Sequence, residues 1–144
     1  MKGRKSWREK MEGAPEAKLV AIPPRMQKHH GKGTMLIPNP ADVDAAIRKV
    51  GKVITLTRLR EKLARGAGAD ITCPLMAGMF VRIVAELAEE DMRAGKSRVT
   101  PYWRVVRDDG QLLETVSSGP AEQARHLEAE GHRIDTSGRL RLIF

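Results

Sequence analysis

Residues 51–95 read GKVITLTRLREKLARGAGADITCPLMAGMFVRIVAELAEEDMRAG, and the fold turns on how this stretch divides. "TRLREKLARGAG" predicts a helix capped by Thr57, with Leu59 and Leu63 turned inward and Gly66 ending it. Its outer face would carry Arg58, Arg60, Lys62 and Arg65. After the turn "GAGADIT", Pro74 suits a first helical position. Met76, Met79, Phe80, Ile83, Val84, Leu87 and Ala88 then recur at three- and four-residue spacing, which predicts a helix of about 20 residues with an apolar core stripe. Two helices joined by a short glycine-containing turn are the outline of a helix-turn-helix, the motif that lays a helix on duplex DNA.

Upstream, "NPADVDAAIRKVG" predicts a short amphipathic helix, with Asn39 or Asp42 as cap, Val43, Ala46, Ile47 and Val50 on one face, and Gly51 as the stop. Before it, residues 1–36 hold nine Lys/Arg against three Glu, a disproportionate share of the chain's net charge of +8. With Pro15, Pro23, Pro24 and little sustained periodicity, residues 1–38 read as an extended basic arm, of the type that lies along phosphates or keeps a protein soluble. Residues 39–144 read as one domain. Downstream, "YWRVV" reads as a strand ending in the turn "DDG", "GPAEQARHLEAEGH" as a helix, and "HRIDTSGRLRLIF" as a hairpin about Thr136-Ser137-Gly138. The expected class is therefore α+β, mainly helical: a winged helix-turn-helix-like domain with a small C-terminal β-hairpin and a basic N-terminal arm.

Other features exclude whole classes. No apolar run approaches the roughly 18–20 residues that span a bilayer, and the basic N-terminus lacks a signal-peptide core, so the expectation is a cytoplasmic protein with no membrane partner. The single cysteine, Cys73, allows no internal disulfide. Standing at the start of the long helix, it is the one candidate reactive thiol, its other reading being a small buried residue or cap. His29-His30 has no Cys, Asp or Glu at ligand spacing, so neither a metal nor a cofactor is expected.

Aromatic residues make up only 3% of the chain, yet Tyr102 and Trp103 stand together in "VTPYWRVVRDDG". The order of "GKVITLTRLREKLA", a long helix, "PYWRVVRDDGQL" and "EQARHLEAEGH" resembles the DNA-binding domain of the O6-alkylguanine-DNA alkyltransferases (methylated-DNA-protein-cysteine methyltransferases) over roughly residues 51–131. Pro101, Arg104, Val105, Val106, Gly110, Leu127, Glu130 and Gly131 carry the likeness. That family has a Pro-Cys-His-Arg-Val active-site segment; here Tyr102 stands at the acceptor cysteine and Trp103 at the histidine that relays its proton. Alkyl transfer needs a thiolate, which a phenol of ordinary pKa ~10 does not replace. The resemblance is thus to the alkyltransferase-like branch, which lacks the acceptor cysteine and is implied to bind alkylated DNA without repairing it. Glu130 matches the family's buried structural acid. Leu56 and Leu75 depart from the family, standing where a phosphate-contacting Tyr and an intercalating Arg are expected.

The expected function is non-catalytic binding of double-stranded DNA, with recognition of alkylated or damaged guanine by base flipping. Arg58, Arg60, Arg65, Thr72 and Arg104 would contact DNA, while Tyr102, Trp103 and Glu130 would form the lesion pocket. At that pocket two readings stay open: the aromatics stack on a flipped purine, worth ~1–3 kcal/mol per base, or they fill and close it. Two alternatives of another class also stand, an alkyltransferase enzyme whose acceptor has moved to Cys73, and an interaction module for a protein or RNA partner on the same scaffold.

Overall fold

The computed structural model describes residues 4–144. Among the described residues, six helices and three small sheets form an α+β fold. In chain order they are α1 (Trp7–Glu12), β1 (Lys18–Ala21), α2 (Pro24–His30), β2 (Thr34–Ile37), α3 (Pro40–Arg48), β3 (Ile54–Thr55), α4 (Leu56–Ala67), β4 (Ile71–Thr72) and α5 (Pro74–Arg93). A 3-10 turn at Tyr102–Arg104, β5 (Val105–Val106), α6 (Gly119–Ala129), β6 (Arg133–Asp135) and β7 (Arg141–Ile143) follow.

The two central helices lie where their periodicity put them, with altered ends. Thr55, not Thr57, caps α4 by accepting from the Arg58 N–H at 3.3 Å. Thr57 is held from outside instead: its N–H donates to Asp108 Oδ1 at 3.0 Å. The helix runs through Gly66 and stops at Gly68, whose φ of 71° only glycine adopts without strain. In α5, Phe80, Ile83, Val84 and Ala88 face the core as expected, but Met79 turns outward and is half exposed. Asn39 caps α3 through the Ala41 N–H at 2.7 Å, and Val43 and Ile47 are fully buried beneath it.

The expectation of an extended N-terminal arm is corrected. Ser6 and Glu9 form a reciprocal capping box that starts α1. Trp7 packs on the main core, and Arg8 pairs with Asp91 of α5 at 2.7 Å. β1 pairs antiparallel with β2, and β2 pairs parallel with β4 in the register Met35 to Ile71 and Leu36 to Thr72. Met35 and Leu36 are 4% and 5% exposed. Elements of four to seven residues are too short to show a period, while the lysines and arginines stay on outward faces, so a folded segment reads in sequence as a charged coil.

A second correction concerns "YWRVV". Pro101 holds the chain in a turn, the Arg104 N–H bonds back to the Pro101 carbonyl at 3.1 Å, and only Val105–Val106 is strand. β5 pairs parallel with β3, Ile54 opposite Val105. The C-terminal hairpin forms as expected, Ile134 opposite Leu142. Gly110 (φ 88°) lies so close beneath it that a Cβ would meet the Leu142 carbonyl at 2.9 Å.

Two apolar clusters result. The larger joins α3, α4, α5 and the 3-10 turn through Ile47, Leu59, Phe80, Val84, Tyr102 and Val105. The smaller lies under α6 and the hairpin, around Val106, Leu112, Leu127 and Leu142. Among the described residues no helix is long and apolar enough to cross a membrane.

Candidate nucleic-acid interface and a closed aromatic pocket

An amphipathic helix with two buried leucines must point its remaining long side chains outward, and α4 does so with Arg58, Lys62 and Arg65 exposed and Arg60 half-buried. Arg60 and Arg65 border an open groove of about 520 Å³, with His30 from α2, Thr57, Asp70 and Pro74 among its other walls. The acids near it are already engaged. Asp70 accepts from the Thr34 N–H at 2.8 Å, and Glu61 pairs with Arg58 at 3.3 Å. Asp108, near Arg60, is held below the usual carboxylate range by its hydrogen bonds from the Thr57 hydroxyl and N–H. Arg65 has no ion-pair partner among the described residues, and Arg60 donates to the Thr57 hydroxyl at 3.1 Å rather than to an acid.

Two expected DNA contacts, Thr72 and Arg104, are occupied internally, while Arg58 stays exposed beside a different hollow. Thr72 is 3% exposed and spends its hydroxyl on the Arg60 carbonyl at 2.8 Å, so it is a brace for α4 and not a phosphate ligand. Arg58 lines a separate hollow with Ile54, Lys62 and Phe144. Arg104 is consumed internally: Nε reaches Glu130 Oε1 at 3.0 Å, Nη2 reaches Oε2 at 2.6 Å, and Nη1 donates to the Val50 carbonyl at 2.6 Å. This fork holds the Glu130 carboxyl below its usual range.

The expected lesion pocket is closed. Tyr102 is fully buried, so its ring offers no face to a base, and its hydroxyl donates to Glu89. Burial, reinforced by that carboxylate, raises the phenol pKa above its ordinary 10. Trp103 meets Tyr102 edge to face at 5.6 Å and stacks on His126 at 4.2 Å. The Trp103 indole nitrogen is buried against Glu130 without a hydrogen bond of normal geometry. Gln123 fastens the turn from below, donating to the carbonyls of Trp103 at 3.1 Å and Val105 at 2.8 Å. Cys73 is half-buried at the cap of α5, and its N–H donates to the Leu36 carbonyl at 2.9 Å.

Sequence reasoning missed a polar cluster beside this pocket. Glu89 on α5 is 5% exposed, and His126 Nε2 on α6 stands 3.2 Å from its Oε2 and 3.5 Å from Glu122 Oε1. Glu86, 4% exposed, holds the loop before α6 through the Ser117 N–H at 2.8 Å. The available signal was the Glu122 to His126 spacing of four on one helix, with two glutamates inside the apolar stripe of α5.

No family model, no curated protein and no solved structure matches this chain.

Proposed function

We propose that the protein binds double-stranded DNA without catalysing a reaction, using α4, the turn that follows it and the start of α5 as a helix-turn-helix, with the β6–β7 hairpin as its wing. The observation that carries this reading is the groove beside α4, where Arg60 and Arg65 converge with His30 while the neighbouring acids are occupied by other partners. Arginines without acidic partners beside an open groove attract a phosphate backbone. The net charge of +8 favours the same class of partner.

The non-catalytic half of the proposal rests on Tyr102. A buried phenol with a raised pKa and a carboxylate already on its hydroxyl is a poor acceptor for an alkyl group. Capture of a flipped base at Tyr102 is not part of the proposal, because the ring is enclosed. One observation favours a second reading, a protein-interaction module: Leu75 and Met79 on α5 are 72% and 50% exposed beside an apolar groove that reaches Leu113 and Val116.

The test is binding of the full chain to a short duplex, with and without O6-methylguanine, across a salt series. Affinity that falls steeply with salt and is equal for the two duplexes is expected. Affinity indifferent to salt on both would remove the DNA reading.

A further inference from the structure

We propose that Glu89, Glu122 and His126 form a binding site for a divalent transition-metal ion of the zinc type, held between α5 and α6. The site lies toward the C-terminal end of α5, about 20 Å along that helix from the groove at its start, and stands independently of the DNA reading.

The geometry is that of a coordination shell. Two carboxylates and one imidazole bring their donor atoms within 4.8 Å of one another. The His126 Nε2 distances to Glu89 Oε2 and Glu122 Oε1, 3.2 and 3.5 Å, match the roughly 3.3 Å edge of a tetrahedron whose centre lies ~2.0–2.1 Å from each ligand. One imidazole N–H can be aimed at one acceptor only, yet Nε2 faces two. A metal ion at the focus uses the imidazole lone pair and both carboxylates at once.

Charge points the same way. Glu89 is 5% exposed, and its ion-pair partner among the described residues is His126 and no lysine or arginine. A buried carboxylate without a fixed cation is costly, and a divalent ion supplies that charge. Outer partners are in place. Tyr102 donates its hydroxyl to Glu89 Oε2, and Arg125 grips both oxygens of Glu122, Nε on Oε2 at 3.1 Å and Nη2 on Oε1, which fixes that carboxylate beside His126 with a second lone pair on Oε1 for the ion. Nitrogen and oxygen donors without sulfur suit zinc and cobalt better than copper(I).

The experiment is equilibrium dialysis of the full chain against zinc, with cobalt(II) absorption to report coordination number. One equivalent of zinc is expected, with the intense visible bands of four-coordinate cobalt. Binding should weaken by roughly tenfold or more in Glu122→Gln, a rim substitution that leaves the core intact, and vanish in His126→Ala. A His29→Ala, His30→Ala double variant should bind as the parent does. Failure of the parent chain to take up zinc would overturn the proposal, as would binding that survives both cluster substitutions or is lost in the double-histidine variant. The cluster would then be a hydrogen-bond network that fastens α6 to α5.

Discussion

Trp103 lies flat on His126, ring centres 4.2 Å apart and planes 18° from parallel, with the edge of Tyr102 closing the third side. Three rings in mutual contact are a plug. Tyr102→Ala should therefore cost about 3–5 kcal/mol in urea unfolding, the loss from a buried aromatic. It should leave the ratio of affinities for O6-methylguanine and plain duplex unchanged. A lesion-specific loss of affinity in that variant would reopen the base-stacking role.

The Arg104–Glu130 fork ties the 3-10 turn to the end of α6. Arg104→Ala should lower stability by about 1–3 kcal/mol, its ion pair being discounted because both side chains are about a quarter exposed. It should have little effect on DNA affinity. Because Glu130 titrates below its ordinary 4.5 in the fold, its contribution is complete above that pH and is lost as pH falls through the lower folded value. Urea midpoints at pH 7 and pH 3 should converge between parent and variant at the acid end. A constant gap would assign Arg104 a role without Glu130.

Residues 4–38 are part of the fold, and their removal is a stability experiment. Leu36→Ala should cost about 2–5 kcal/mol. Deleting residues 1–37 exposes β4 and the α4–α5 turn and should lower the melting temperature sharply. A truncated chain that melts like the parent would restore the detachable-arm reading.

Arg60 and Arg65 should each carry about one phosphate contact. Replacing either by Ala should make the log–log salt dependence of DNA binding shallower by about 0.9. The same change in Arg104 should not. Fluorescence anisotropy at three or more salt concentrations would measure the slopes.

Incubation with O6-methylguanine duplex should leave the protein mass unchanged, since Tyr102 is buried and its phenol is harder to ionise than usual. A gain of one methyl group on Cys73 would establish a relocated acceptor.

Elements with a long, repeated period were legible in the sequence. α3, α4, α5, α6 and the terminal hairpin could be placed because each carries two or more turns, or a two-residue alternation about a glycine turn. β2 and β4 could not, because strands of four and two residues are too short to show a period and they pair across 36 positions. The basic face of α4 was readable, since outward arginines follow from inward leucines at fixed spacing. That Arg104 and Thr72 are occupied was not, because their partners, Glu130 and the Arg60 carbonyl, are brought to them by tertiary packing. The Glu89–His126 contact joins positions 37 residues apart on two helices, and neither helix's pattern announces it.

The parallel pairing of β2 with β4 also sets an order of events during synthesis. Leu36 leaves the ribosome before its partner Thr72, and at ~5–20 residues per second the delay is roughly 2–7 s. For that interval β1 and β2 have only each other as strand partners, a pair of four-residue strands with an unpaired edge. The segment that completes the turn between α4 and α5 is thus the first made and among the last secured. The nascent chain passes through a state in which its apolar Met35-Leu36 edge waits for the rest of the domain.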